Sequence, residues 1–187
     1  MAEVINLNDL FSEMLKDVYY AEKKILKALP KMAKAIGKES KLAAAFEKHR
    51  QETEGQIDRL EQVFEIIGKK ARGKKCEAIE GLSKEAEELM DEVACGATLE
   101  AGLLAGAQAV EHYEIARYGT LIEWARLLGY KDAVKLLTQT LDEEKKTDEL
   151  LSKMALGNIN QRALDAQQEE SEDDKESLLE TIRRKIA

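Results

Sequence analysis

Apolar residues recur at intervals of three and four along most of the chain, which is the spacing of one face of an α-helix. The pattern predicts four long helices, each of which ends at a glycine. Ser40 and Asp132 are the predicted N-terminal caps of the second and fourth helices. The predicted helices span roughly residues 8–36, 40–67, 98–128 and 132–156, and the glycines are Gly37, Gly68, Gly129 and Gly157.

The connections between these helices predict how they are arranged. Short links around Gly37 and Gly129 join the first two and the last two helices, so each pair should form an antiparallel hairpin. Residues 69–97 between the hairpins start with a basic run and then contain a short helix, predicted to be capped by Ser83 and to run through Val93. Two hairpins joined by one long crossover is the ferritin-like connectivity. The sequence therefore predicts an all-α, ferritin-like four-helix bundle.

The end of the chain has a different character. Residues 165–176 are polar and acidic, which is typical of a flexible linker. Apolar residues then return at helical spacing and predict a short amphipathic C-terminal helix. The predicted organisation is a bundle domain over residues 1–162, followed by an acidic linker and a helix over residues 163–187.

Polar residues interrupt the apolar stripe near the middle of each long helix. Antiparallel hairpins bring these levels together, and a buried, unpaired carboxylate costs several kcal/mol. Neighbouring buried carboxylates also repel each other, and a pair of divalent cations would resolve both problems. The candidate metal ligands are Glu22 on the first helix, His49, Glu52 and Gln56 on the second, Glu114 on the third, and Glu144 and Asp148 on the fourth.

The spacing of these residues supports the hypothesis of a metal centre. Glu22 and Glu52 are 30 residues apart, and so are Glu114 and Glu144. Gln56 and Asp148 each follow the second glutamate of their hairpin by one helical turn. The hairpins thus look like copies of one unit, each supplying half of a site. We expect two divalent metal ions per chain, with iron as the first candidate and manganese as the alternative, because both suit carboxylate and imidazole ligands. Any single glutamate could instead face solvent.

Composition excludes several other classes of protein. The net charge of −8 argues against a broad surface for nucleic acid. No apolar run is long enough to span a membrane, and the first residues do not resemble a secretion signal. Cys76 and Cys95 match no zinc spacing and are expected to be reduced thiols of a cytoplasmic protein.

Four segments, AEKKILKALPKM, HRQETEGQ, AVEHYEIARYGTL and LDEEKKTDELL, occur in this order along the chain. With their flanks they resemble the YciF/YciE family of bacterial ferritin-like proteins over about residues 6–162. The resemblance implies a ferritin-like fold, a homodimer, a two-metal centre and a cytoplasmic protein linked to stress responses. It implies no known substrate.

The candidate ligands depart from those of better-understood di-iron bundles, which carry Glu-x-x-His on two helices. Gly55 and Thr147 occupy the histidine positions here. Gln56 and Asp148 are the possible substitutes, and His49 is either a ligand or a residue that orients one.

Two functions therefore remain open. In the first, a metal centre reacts with a small oxidant, O2 or peroxide. In the second, a non-enzymatic helical dimer binds a partner, and its interior acids are protonated or paired with Lys or Arg. Whether the chain is an enzyme is left open.

Overall fold

The protein, represented by a computed structural model, is described over residues 4–94 and 96–168, and all regular structure in these ranges is helical. Within them no helix is both long and apolar enough to cross a membrane. Most of the predicted linker and the whole predicted tail helix lie outside the described residues. The helices are α1 (Leu7–Ile36), α2 (Lys41–Ile66), α3 (Glu77–Glu92), α4 (Ala97–Leu127) and α5 (Lys131–Met154).

Most of the helix ends agree with the sequence prediction. The Ser40 hydroxyl accepts hydrogen bonds from the backbone N–H groups of Leu42 at 3.0 Å and Ala43 at 3.3 Å, so it caps α2. Gly37, Gly68 and Gly129 have positive φ angles of 84°, 68° and 80°. Glycine adopts this conformation without steric cost, which explains why the helices end there.

Two predicted N-terminal caps are wrong. α3 begins at Glu77, with Cys76 at the cap position, so Ser83 lies inside the helix. The earlier start places Ile79 in the apolar core, and that burial outweighs the capping preference of serine. Asp132 lies in the first turn of α5, whose cap position is occupied by Tyr130. Its carboxylate pairs with Lys135 at 2.8 Å instead of capping the helix.

The predicted end of the last helix at Gly157 is also wrong. α5 passes into a π-helical turn at Ala155–Ile159, and helical backbone then continues to residue 168. Ile159 is buried in the core, and Arg162 pairs with the largely buried Glu100 of α4 at 2.5 Å. These contacts hold the continued helix against the bundle, so its backbone has no reason to turn away at the glycine.

The four long helices form the predicted bundle. α1 packs against α2 and α4, and α5 packs against the same two helices on the opposite corner. The crossover runs back along α1, where the backbone N–H of Lys74 donates to the carbonyl of Lys16 at 3.1 Å. α3 then packs across α1 and α4. The fold is a ferritin-like four-helix bundle with an additional helix on one face.

The apolar core is divided into two parts by a polar layer. One part lies near the α1–α2 turn and includes Ile25, Phe46 and Leu103. The other lies near the α4–α5 turn and includes Leu15, Leu60 and Leu121. On α2, α4 and α5 the buried residues between the two parts are mainly polar and include His49, Glu114 and Glu144, so these side chains are fixed in position from both ends of the bundle.

We expect Ser40→Ala to lower the free energy of unfolding by roughly 1–2 kcal/mol, because it removes the cap of α2. It also removes the hydroxyl that donates to Glu100 at 2.5 Å. The measurement is thermal unfolding followed by circular dichroism. Asp132→Ala, which removes a side chain that caps nothing, is the control and should change stability by less than about 0.5 kcal/mol. Equal losses in the two variants would contradict this account of the helix ends.

Candidate metal centre

Four buried side chains from three helices form a compact group at the middle of the bundle. They are His49 of α2, Glu111 and Glu114 of α4, and Glu144 of α5, and each offers a ligand atom within 4.8 Å of the others. The His49 Nε2 atom lies 3.3 Å from Glu111 Oε1 and 3.9 Å from Glu144 Oε2. All four side chains are at most 4% exposed.

The geometry of α4 explains why it supplies two carboxylates. Glu111 and Glu114 are three residues apart, so both point to the same face of the helix. The apolar stripe of α4 continues on either side of them through Ala107 and Leu121, which are buried. The packing of this stripe therefore forces both carboxylates into the interior.

Glu22 of α1 adjoins the group and is held by a tyrosine. The hydroxyl of Tyr118 donates a hydrogen bond to Glu22 Oε1, and both side chains are fully buried. The Glu22 carboxylate is close enough to Glu114 to help raise its pKa. Tyr118 thus fixes the orientation of one more carboxylate at the same level of the bundle.

Gln56 also points a free oxygen into the interior. Its Nε2 donates to Glu143 Oε2 at 3.2 Å, and Glu143 is held by an ion pair with Arg59. The Nε of Arg59 in turn donates to Thr140 Oγ1 at 2.9 Å. Because this network fixes the amide nitrogen, Gln56 Oε1 is left buried and without a hydrogen-bond partner.

Glu52 and Asp148 lie at the solvent edge of the group. Their side chains are 25% and 24% exposed. Glu52 accepts a hydrogen bond from Lys48 at 2.7 Å, and its other oxygen lies 3.9 Å from His49 Nδ1. Asp148 lies 3.1 Å from Nε2 of the exposed His112. The centre therefore has an acidic side that reaches water between α2 and α5.

The structure brings the sequence candidates together to different degrees. His49, Glu114 and Glu144 belong to the compact group, and Glu22 adjoins it. Glu52 and Asp148 lie at its edge, and Gln56 is buried and hydrogen-bonded to Glu143. Glu111 was not among the residues predicted from the sequence. It precedes Glu114 by three residues, and this spacing, which places a second carboxylate on the same interrupted face, could have identified it.

Burial changes the acid–base properties of these carboxyl groups. Loss of hydration raises the pKa of Glu22 to about 7 and raises the pKa of Glu111. Burial, with repulsion from Glu22 and Glu111, raises the pKa of Glu114 and Glu144 well above the usual value. Without a cation, the buried carboxyl groups of the centre therefore bind protons and are uncharged.

His49 shows the opposite balance. Burial acts to lower its pKa, but the carboxylates of Glu52, Glu111 and Glu22 outweigh that effect and raise it. The nearby imidazole of His49, and then the hydrogen bond from Lys48, lower the pKa of Glu52 to about 2. The imidazole thus acts as a partial counter-charge for the acidic group.

Several donor atoms of this group have no hydrogen-bond partner. Both oxygens of Glu114 and of Glu144 are buried without a hydrogen bond, as are both ring nitrogens of His49. Buried polar groups are normally hydrogen-bonded. Carboxylate oxygens with imidazole nitrogens are the ligands that iron and manganese prefer in proteins. The residues present therefore fit a metal ion.

Comparison with known proteins then assigns the family. The sequence profile of the family described as "Domain of unknown function (DUF892)" matches residues 6–164. The chain belongs to the DUF892 family. The chain is also similar to protein YciF of Escherichia coli (strain K12), with 47% identity over 158 residues, which are 84% of this chain and 95% of that protein. The resemblance to the YciF/YciE family is thereby confirmed.

Solved structures support the fold of this DUF892 member. The crystal structure of the E. coli stress protein YciF is similar with a TM-score of 0.79 and 46% identity, over 84% of this chain and 99% of that chain. YcfI from Rhodopseudomonas palustris has a TM-score of 0.77 and 48% identity, over 80% of this chain and 95% of that chain. A Xanthomonas campestris protein with 21% identity and a TM-score of 0.68 supports the fold alone.

The raised pKa values predict how the metal-free protein responds to pH. Glu22 has a pKa of about 7 in the fold against 4.5 as the ordinary value, so its contribution to stability is complete below pH 4.5 and is lost as the pH rises through 7. In the presence of a chelator, we expect Glu22 alone to lower the free energy of unfolding by on the order of 3 kcal/mol across this window, and the raised pKa values of Glu111, Glu114 and Glu144 to add to that fall. The measurement is chemical denaturation at a series of pH values.

A matched pair of variants controls for other titrating groups. Glu114→Gln replaces a buried acid by a neutral amide of the same shape and should raise metal-free stability near neutral pH. Glu149→Gln alters an exposed carboxylate paired with Lys153 on α5 and should leave the pH profile unchanged. A metal-free wild type whose stability does not fall in this window would refute the assignment of buried, protonated carboxyls.

Proposed function

We propose that the chain binds two divalent metal ions in the centre of the bundle and uses them in redox or metal-handling chemistry during stress. The observation that carries this proposal is the set of unpaired donor atoms on His49, Glu114 and Glu144. Protein interiors rarely leave so many polar atoms without partners at one place. Metal coordination would give each of them a partner.

The charge of the buried group supports two ions per chain. Glu22, Glu111, Glu114 and Glu144 are each at most 2% exposed. When all four are ionised they carry four negative charges, which two divalent cations balance. A single divalent ion would leave two buried negative charges, each of which costs several kcal/mol unless a proton neutralises it.

The positions of the carboxylates suggest how two ions would be shared. Glu114 and Glu144 each interact electrostatically with both Glu22 and Glu111. We therefore infer that Glu22, Glu111, Glu114 and Glu144, together with His49, would hold the two ions. Gln56 Oε1, Glu52 and Asp148 would complete the coordination.

The donor set favours iron, with manganese as the alternative, since both accept mixed oxygen and nitrogen ligands. A bound pair of such ions would supply one-electron redox chemistry toward a small oxidant, O2 or peroxide. The protein's contribution is to fix the ligands, through contacts such as that of Tyr118 with Glu22. The similar E. coli protein YciF is described as a stress protein, which agrees with a role in handling oxidants or metal.

The alternative is a non-enzymatic dimer that binds a partner. It requires the interior acids to be protonated or paired with Lys or Arg. Among the ion pairs of the described residues, no Lys or Arg contacts Glu22, Glu111, Glu114 or Glu144, and Arg59 pairs with Glu143. This alternative then requires the interior acids to stay protonated. Protonation of the acids would not explain why the ring nitrogens of His49 have no hydrogen bond.

We expect elemental analysis of protein from iron-supplemented cells to find about two Fe or Mn per chain. We also expect a chelator to lower the melting temperature by roughly 5–10 °C. A ligand at a free concentration of about one hundred times its Kd stabilises a protein by about 2.7 kcal/mol, and the chelator removes that stabilisation. Glu144→Gln should lose most of the metal, since it removes a central ligand.

The control for this experiment is Glu149→Gln on the same helix, whose carboxylate is exposed. It should retain wild-type metal content and the same response to chelator. Protein that stays free of metal after anaerobic addition of Fe(II) and of Mn(II), with an unchanged melting temperature in chelator, would refute the proposal and favour the partner-binding alternative.

A further inference from the structure

A small cavity lies beside the candidate metal centre, in the half of the core that α3 covers. Its volume is about 40 Å³. His49, Glu111 and Thr147 form part of its wall, and α3 contributes Leu82, Ser83 and Ala86. The cavity therefore connects the ligand side chains of the centre with the underside of the crossover helix.

The wall of the cavity is hydrocarbon apart from four polar side chains. Two of these, His49 and Glu111, belong to the centre, and the other two are Ser83 of α3 and Thr147 of α5. His49 is 3% exposed and neither of its ring nitrogens has a hydrogen-bond partner. Glu111 is 2% exposed and one of its oxygens is likewise unpaired. The inner wall of the cavity thus includes residues with buried polar atoms that have no hydrogen bond, His49 and Glu111.

Small residues on α4 create this space. A Cβ atom added at Gly102 would meet Leu89 of α3 at 3.4 Å, so the two helices are in contact there. One turn further along the same face, a Cβ atom at Gly106 would meet nothing within 4 Å. Gly106 lines the cavity. The gap between α3 and α4 therefore opens at Gly106 and leads inward to His49 and Glu111.

We propose that this cavity admits dioxygen to the metal centre, and that Gly106 sets the size of molecule that can enter. The inference rests on the proposed function, because it assigns an oxidant to that centre. A volume of about 40 Å³ suits a diatomic molecule and is too small for an aliphatic chain or an aromatic ring. Cavities whose walls are mainly hydrocarbon bind apolar guests such as xenon.

The chemistry of the wall selects dioxygen over peroxide. Hydrogen peroxide forms hydrogen bonds with water and would lose them against hydrocarbon, which costs several kcal/mol. Dioxygen forms none of comparable strength and loses nothing on entry. Polar molecules and cations have a different approach, the acidic edge where Glu52 and Asp148 are each about a quarter exposed.

Gas binding tests the cavity independently of any metal. Crystals of the metal-free, full-length protein are pressurised with xenon, an apolar probe of similar size. We expect a xenon site beside Gly106 and Ala107 in the wild type, and its loss in Gly106→Leu, whose side chain fills the space. Gly119→Leu is the matched control, because Gly119 is a glycine of α4 with open space around it that lies outside the cavity wall.

The rate of iron oxidation tests the function of the cavity. In protein loaded with Fe(II), Gly106→Leu should lower the second-order rate constant with dioxygen by about 10-fold or more. The rate constant with hydrogen peroxide and the iron content should stay within about 2-fold of wild type in the same variant. Gly106→Ala, which adds one methyl group and improves helix propensity, should fold at least as well as wild type and give a smaller decrease.

The possible results separate the two proposals. A wild type that binds xenon but no iron overturns the proposed function, and with it the assignment of dioxygen. A wild type that binds iron, with an unchanged dioxygen rate in Gly106→Leu, overturns the cavity route and leaves the metal centre standing. Equal losses with dioxygen and peroxide would also overturn it, because they would show damage to the centre.

Discussion

The burial of four carboxyl groups at one level of the bundle is the constraint on which the rest of the structure depends. Glu22, Glu111, Glu114 and Glu144 are removed from water, and their pKa values rise because burial disfavours the charged form. Such a group is compatible with folding only if protons or cations neutralise it. Binding of a cation to this group would therefore be coupled to the stability of the fold, and protons would compete with it less as the pH rises.

The two halves of the apolar core make this constraint tolerable. Each half anchors the same four helices on its own side of the polar layer, around Phe46 in one and Leu60 in the other. The carboxylates thus sit on rigid helices whose positions are set elsewhere, and they cannot relax apart to reduce their repulsion. Hydrogen bonds from Tyr118 to Glu22 and from Gln56 to Glu143 restrict the side chains further. The result is a site organised before any ligand binds.

The periodicity of the sequence was sufficient to predict the bundle and most of the polar layer, because both depend on the spacing of residues along each helix. The apolar stripes, the Ser40 cap and three glycine ends follow from backbone rules that act within a few residues. Features that depend on tertiary packing could not be predicted in the same way. α3 begins at Glu77, before the predicted cap Ser83, because Ile79 is buried in the core. The last helix continues beyond Gly157 because Ile159 packs in the core. Glu111 was missed because only one ligand was assigned to the interrupted face of α4.

The same limit applies to the symmetry of the two hairpins. Glu52 and Glu144 hold equivalent positions in the repeat, yet Glu144 is fully buried and the Glu52 side chain is 25% exposed. The crossover supplies an asymmetry that the two hairpins lack, because α3 packs on α1 and α4, and among residues 4–94 and 96–168 no helix covers the face between α2 and α5. One side of the centre therefore meets hydrocarbon beneath α3, and the other meets water through carboxylates. The two sides of the centre therefore differ in chemistry, and the spacing of residues within either hairpin does not encode that difference.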